Sequence, residues 1–248
     1  MARKKVFIGN KDGFFEDEVV YKFYPGFAVS QKQKNVDSIE AAIKFKNPHA
    51  NVLEVSSKSR NKLGIELSAF NLKLGNIAVE SIYQSSKVFV DGRQFSFLIT
   101  YKPALAKKYV RENGSGAIKC FRYENKEYPI NPQSAFYDYL YILALKENEV
   151  LSEQLLKYDT FTDVEFNSAK SIACQARTCA IFVYLKKCGM LDECLKSFDN
   201  FIKIYDFDKT IRTFHNWIAI FLQNNRILRC FYKKFKYFNS YNLKEQHK

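Results

Sequence analysis

The stretch Val79-Glu80-Ser81-Ile82-Tyr83-Gln84-Ser85-Ser86-Lys87-Val88-Phe89-Val90 decides how this chain reads. By propensity it is ambiguous, and by pattern it is helical. Glu80, Tyr83, Gln84 and Lys87 fall at i, i+3, i+4 and i+7, positions that share one face of an α-helix. Ile82, Val88 and Phe89 supply packing groups, and Ser81, Ser85 and Ser86 allow close approach. A helix is therefore expected over 79–90. Along it Glu80 and Lys87 would stand about 10 Å apart, too far for a local salt bridge but suited to flanking a ligand. The stripe reads equally well as a solvated face, and periodicity does not separate the two.

Upstream, residues 4–8 and 18–24 read as short strands parted by a Gly/Asp-rich turn at 9–16, and Pro25-Gly26 stops the second. Ser38 is placed to cap a helix over 39–46, which ends before Asn47-Pro48. Residues 52–56 suggest a strand, 57–61 a polar loop and 64–72 another short strand. Downstream, Pro103 opens a helix through Arg111. A turn at 113–116 leads to strands at 117–123 and 127–130. Helices are then expected over 133–147, 149–158, 170–187, 190–204 and 208–222. Early strands followed by helices predict an α+β class, a mainly helical domain around a small β-sheet.

Composition narrows the partners. The 248 residues include 23 Phe and 16 Tyr, which argues against disorder and offers ring faces for cores or bases. The net charge of +13 favours an anionic partner such as nucleic acid, a nucleotide or an acidic membrane surface. A lysine coat on every solvated surface would give the same number. Six cysteines form no CxxC pair and only three histidines exist, so no zinc-ligand spacing is present and no metal is expected. Reduced thiols, no signal-peptide core and no apolar run long enough to span a membrane predict a cytoplasmic protein. The final stretch, 226–248, holds seven Lys/Arg against one acidic residue, interleaved with rings. It reads as a DNA-contacting tail or, preferably, as a terminal helix with its rings packed inward.

The string Glu80-Ser81-Ile82-Tyr83-Gln84-Ser85-Ser86-Lys87 resembles the E-x-x-[YF]-Q-x-x-K element of NADAR domains, the YbiA-like N-glycosidases. Further segments resemble the NADAR antitoxins encoded beside guanine-modifying DarT toxins. They are Phe23-Tyr24-Pro25-Gly26-Phe27 running on to Gln31-Lys32-Gln33-Lys34, Leu53-Glu54-Val55-Ser56-Ser57-Lys58, Leu67-Ser68-Ala69-Phe70-Asn71-Leu72, Ala135-Phe136-Tyr137-Asp138-Tyr139 and Phe161-Thr162-Asp163-Val164-Glu165-Phe166. They follow one another in family order over roughly 5–190. YbiA-like domains are shorter and often carry Trp near the later carboxylate, where this chain has Phe161 and Phe166. The resemblance implies a NADAR-like catalytic domain over 1–200, with 201–248 a basic, aromatic extension.

It also implies an activity: removal of ADP-ribose from guanine in DNA, as the antitoxin of a DarT-type toxin, without a cofactor. ADP-ribosylated DNA and the toxin are the expected partners. Lys87 matches the family lysine that takes the released sugar as a Schiff base. A lysine with an ordinary pKa is almost wholly protonated at neutral pH, so its attack requires burial or a neighbouring cation. Direct hydrolysis through an oxocarbenium-like state is the competing mechanism. Glu80 is the first candidate for proton transfer, and Asp163 and Glu165 compete as the second. Tyr83 and Gln84 are expected to orient ribose or base. Ser56, Ser57 and Lys58, with the 31–34 string, are candidate diphosphate donors, and Phe70 and Asn71 complete the expected binding set. Two other classes fit the same sequence: a binder of the toxin or of modified DNA without turnover, and a glycosidase for a small metabolite.

Overall fold

The hairpin that opens the chain is longer than its apolar runs suggest. In the computed structural model, which describes residues 1–169 and 171–203, β1 (Ala2–Asn10) pairs antiparallel with β2 (Gly13–Tyr21) along their full length. The turn expected at 9–16 shrinks to Asn10–Gly13, closed by the Asp12 N–H donating to Asn10 Oδ1 at 2.8 Å. Val19 and Tyr21 face inward while Glu18 and Val20 face out, the period of two that a half-buried strand requires.

Helix α1 (Val29–Lys46) covers that inner face, burying Ile39 and Ile43 against Val6, Val19, Tyr21 and Ala50. It starts well before position 39, and Ser38 is not its cap. Ser38 lies inside the helix, where its Oγ accepts from the Lys22 N–H at 3.1 Å. The buried Asn35 explains the early start. Its amide accepts from the Tyr24 N–H at 2.8 Å and donates to the Tyr24 and Gln31 carbonyls at 2.7 and 3.0 Å. This pins the preceding loop onto the first turns of the helix.

The main sheet has the order β2-β1-β9-β3, in which β3 (Val52–Glu54) runs parallel to β9 (Thr160–Thr162) and β1 runs antiparallel to β9. Strand β9 has no local sequence signal, yet it is central. Its Phe161 is fully buried, which stabilises the fold by about 2–3 kcal/mol relative to an exposed ring. Helix α7 (Gln175–Lys187) packs on β1 and β9. Gly9 permits the contact, because a Cβ there would sit 2.0 Å from the Ala180 carbonyl oxygen. The helix begins at Gln175, not at 170.

The insertion between β3 and β9 carries the remaining machinery. Residues 64–72 are not a strand. They open on the second half of α2 (Lys62–Glu66), capped by Asn61 Oδ1 accepting from the Leu63 N–H at 2.9 Å. A small hairpin, β4 (Lys73–Leu74) and β5 (Ile77–Ala78), follows. The helix expected over 79–90 is half as long: α3 spans Val79–Ser85, and β6 spans Lys87–Phe89. Ser85 and Ser86 both donate their hydroxyls to the Ile82 carbonyl, at 3.0 and 2.7 Å, and tie off the last turn. The β-prone Val88 and Phe89 then join β7 (Ile118–Tyr123), which pairs with β8 (Lys126–Tyr128).

Between β6 and β7 lie a 3-10 turn (Ser96–Thr100) and α4 (Pro103–Asn113). Helices α5 (Ala135–Glu147) and α6 (Glu149–Leu155) lead back to β9. After α7, the helix expected over 190–204 is broken into α8 (Leu191–Cys194) and a second helical stretch from 198. The sheets and the helices around them establish the α+β class. Met1–Ile202 form one compact unit. The helix expected over 208–222 and the basic stretch 226–248 lie outside the described residues.

Candidate active site

Lys87 is not on the helix that carries its expected partners, yet it reaches them. From the start of β6 its Nζ donates to Gln84 Oε1 at 2.8 Å, and Gln84 Nε2 donates to Glu80 Oε1 at 2.8 Å. The amide thus has one orientation and joins amine to carboxylate. Glu80 and Gln84 are buried side by side on α3 as i and i+4. The Lys87 Nζ also stands over the Tyr83 ring, 4.7 Å from its centroid. Tyr83 is fixed in turn by stacking on Phe121 and by an edge contact with Tyr137.

Burial lowers the Lys87 pKa to about 8, with Lys107 acting in the same direction and Glu80 against it. The Tyr83 and Tyr137 phenols are pushed well above their ordinary value, chiefly by burial and next by Glu80.

Lys107, on α4, has no signal in the sequence that marks it. Its Nζ lies 3.4 Å from Glu80 Oε1 and 5.4 Å from the centroid of Phe70. Phe70 is therefore drawn to the Glu80 end, where the Glu80 N–H also donates to the Ala69 carbonyl at 2.9 Å. Asn71 is exposed and donates its amide to the Ile65 carbonyl at 2.8 Å, closing the turn after α2.

A second polar cluster lies at the carboxyl ends of the parallel strands β3 and β9, the end at which open α/β sheets place ligands. Glu54 is buried there and accepts from Ser56 Oγ at 2.7 Å, Thr162 Oγ1 at 2.5 Å and the Val164 N–H at 2.7 Å. Ser56 is fully buried and also accepts from the Lys58 N–H, so its hydroxyl serves the turn. Ser57 and Lys58 are half-buried beside it.

Asp163 Oδ1 accepts from the Glu165 and Phe166 N–H groups at 2.9 and 3.2 Å. Its carboxyl is pushed up to about 7, by burial first and Glu54 second, against the pull of Lys4 and the two N–H groups. Lys4 donates to the Phe166 carbonyl at 2.6 Å, and burial lowers its pKa. Glu165 is exposed and pairs with Lys32 of α1 at 3.3 Å.

Tyr137, buried on α5, meets the Tyr83 ring edge-on, and its phenol is raised by burial first and by Glu80 and Asp163 among the surrounding charges. Gln175 braces the same region: its Nε2 donates to the Val55 carbonyl at 2.7 Å and its Oε1 accepts from the Ala69 N–H at 2.8 Å. Nothing local marks Lys107 or Gln175, and Tyr137 is marked only as part of the family-like 135–139 segment, because their partners come from distant segments. Burial raises the Cys174 and Cys179 thiols, so neither is a thiolate nucleophile. Among the described residues no group of three or more His, Cys, Asp and Glu is placed to hold a metal.

The sequence model of the DarT1-associated NADAR antitoxins matches residues 2–215. The chain belongs to that family. The match includes the Glu80–Lys87 element and both polar clusters, and it runs past the last described residue. No curated protein matches the chain. No helix among the described residues of this NADAR antitoxin family member is long and apolar enough to cross a membrane.

Proposed function

We propose that this protein is an N-glycosidase that removes ADP-ribose from guanine in DNA and so reverses the action of a DarT-type toxin. The observation that carries this reading is Lys87: a half-buried amine with a lowered pKa, anchored through Gln84 to a buried carboxylate. At pH 7 roughly one in ten such amines is neutral, against roughly one in a few thousand for an ordinary lysine. A nucleophilic lysine requires that property, and here it coincides with the hydrogen-bonded Gln84 and Glu80.

In this mechanism the Lys87 Nζ attacks the anomeric carbon of ADP-ribose. The bond from that carbon to the exocyclic amine of guanine breaks, and the departing amine takes a proton. The sugar ring opens, its ring oxygen is protonated, and a protonated imine forms between Nζ and the former anomeric carbon. Water then adds to the imine and releases ADP-ribose and the free amine.

Glu80, hydrogen-bonded through Gln84 to Lys87, is the proton-transfer group. Asp163, with its raised pKa, is the second candidate acid. The Glu80 end carries Phe70 and Lys107 as an aromatic face and a cation for the base and the diphosphate. Ser57 and Lys58, half-buried beside Glu54, are the candidate donors to the diphosphate. Glu165 is assigned no proton transfer, since Lys32 holds it at α1.

The test is incubation with a guanine-ADP-ribosylated oligonucleotide and detection of free ADP-ribose. Intact substrate after long incubation with excess protein would refute the glycosidase reading and leave that of a binder.

A further inference from the structure

The segment between β6 and the end of α4 is rich in cations and rings. Between Asp91 and Glu112 it contains no acidic residue, and beyond Arg93, which pairs with Asp91, it carries Lys102, Lys107, Lys108 and Arg111. Its apolar side is fully used: Leu98, Ala106 and Val110 pack with Phe89 in a buried cluster, with Phe95 and Tyr109 against it. Phe97 leans on Phe95 and Tyr109 at the rim of that cluster, with centroids 6.2 and 5.4 Å away, and meets Tyr101 edge to face at 5.7 Å, yet Phe97 and Tyr101 stay 46% and 43% exposed. The side chains of Lys107, Lys108 and Arg111 are 58, 60 and 74% exposed along α4. Among the described residues, Glu112 is the acid that pairs with the last two, at 4.0 and 3.8 Å.

This surface is tied directly to the candidate site. Ser81 of α3 donates its hydroxyl to the Tyr101 carbonyl at 2.9 Å. Lys107, the innermost cation of the row, ends 3.4 Å from Glu80. A ligand lying across the rings and lysines would therefore be delivered to Glu80 and Lys87.

We propose that the 96–111 surface is a single-stranded DNA rim that seats the nucleotides flanking the modified guanine. Exposed rings take unpaired bases by stacking, and a row of cations beside them follows the phosphates. A duplex hides its base faces and has no use for the rings. This inference rests on the proposed DNA substrate and adds the surface that holds the flanking strand.

The test uses the full chain and a labelled, unmodified 12-nucleotide single strand, with binding followed by fluorescence anisotropy over a salt series. Lys102→Glu with Lys108→Glu is expected to weaken binding at least about tenfold at low salt. It should also flatten the slope of log affinity against log salt by about 1.4, the change for two lost phosphate contacts on a single strand. Tyr101→Leu should weaken binding about fivefold or more, the low end for one lost stacking ring, with little change in salt slope. A duplex of the same sequence should bind more weakly than the single strand.

Unchanged affinity and slope in the charge variant would overturn the proposal, as would equal binding of duplex and single strand. Release of ADP-ribose from an ADP-ribosylated guanine nucleoside serves as the second readout. The charge variant should retain it, since that substrate has no flanking strand. If the wild-type protein fails on the nucleoside and on modified DNA, the glycosidase reading falls while the binding result stands by itself.

Discussion

The Lys87 amine donates to Gln84 Oε1 at 2.8 Å, and the same amide donates to Glu80 from its other end. A carboxylate is thereby held near a lysine without touching it. Direct contact would raise the lysine pKa and silence it as a nucleophile; the intervening amide supplies order at smaller electrostatic cost.

The first consequence is a pH profile. With the Lys87 pKa lowered to about 8, the neutral amine gains about tenfold per pH unit below that value. The rate constant kcat/KM should climb through pH 6 and 7 and level off above about 8. A profile flat from pH 6 to 9 would remove Lys87 as the titrating nucleophile.

Replacing the amide by a carboxylate tests its insulating role. In Gln84→Glu the new charge favours the protonated amine, so the rising limb should move to higher pH by about one unit or more. Activity at pH 7 should fall by about tenfold and recover in part above pH 9. An unshifted limb would mean that Gln84 only fills space.

Gly64 sits where α2 meets the end of β3. A Cβ there would lie 2.0 Å from the Glu54 carbonyl oxygen and 2.5 Å from Ser59 Oγ. Gly64→Ala should therefore cost about 3 kcal/mol or more in urea unfolding, since backbone must move. It should also disturb the Glu54–Ser56 turn. A loss under about 1 kcal/mol would show that this contact is not tight.

Asp163 gives a stability signature with the reverse of the usual carboxylate sign. Its folded-state pKa is raised, so the folded chain holds a proton that the unfolded chain has lost. Stability from this group is present at low pH and declines as pH rises from about 4 to 7. Asp163→Asn keeps an acceptor for the Glu165 and Phe166 N–H groups and removes that decline. The variant should gain on the wild type with rising pH, by an amount on the order of 4 kcal/mol at most. Parallel stability curves across that range would contradict the assignment.

How much of this was legible in the sequence follows from where each interaction originates. The hairpin strands, α4, α5 and the Glu80-Gln84 pair rest on local periodicity and were readable. The turn from α3 into β6 was not, because it depends on two serine hydroxyls competing for the Ile82 carbonyl. That change of element moves Lys87 off the expected helix face yet leaves it within reach of Gln84. Strand β9 is three residues long and pairs with segments more than a hundred residues upstream, so nothing local announces it. Lys107 and the partners of Tyr137 were hidden for the same reason. The family resemblance supplied the lysine, while the fold supplied the cation and the phenol around it.

The most direct test of the central claim is borohydride reduction during turnover of ADP-ribosylated DNA, followed by peptide mass spectrometry. A covalent ADP-ribose adduct on the peptide containing Lys87, absent from Lys87→Ala along with turnover, is the predicted result. Release of ADP-ribose at the wild-type rate by Lys87→Ala would contradict the account.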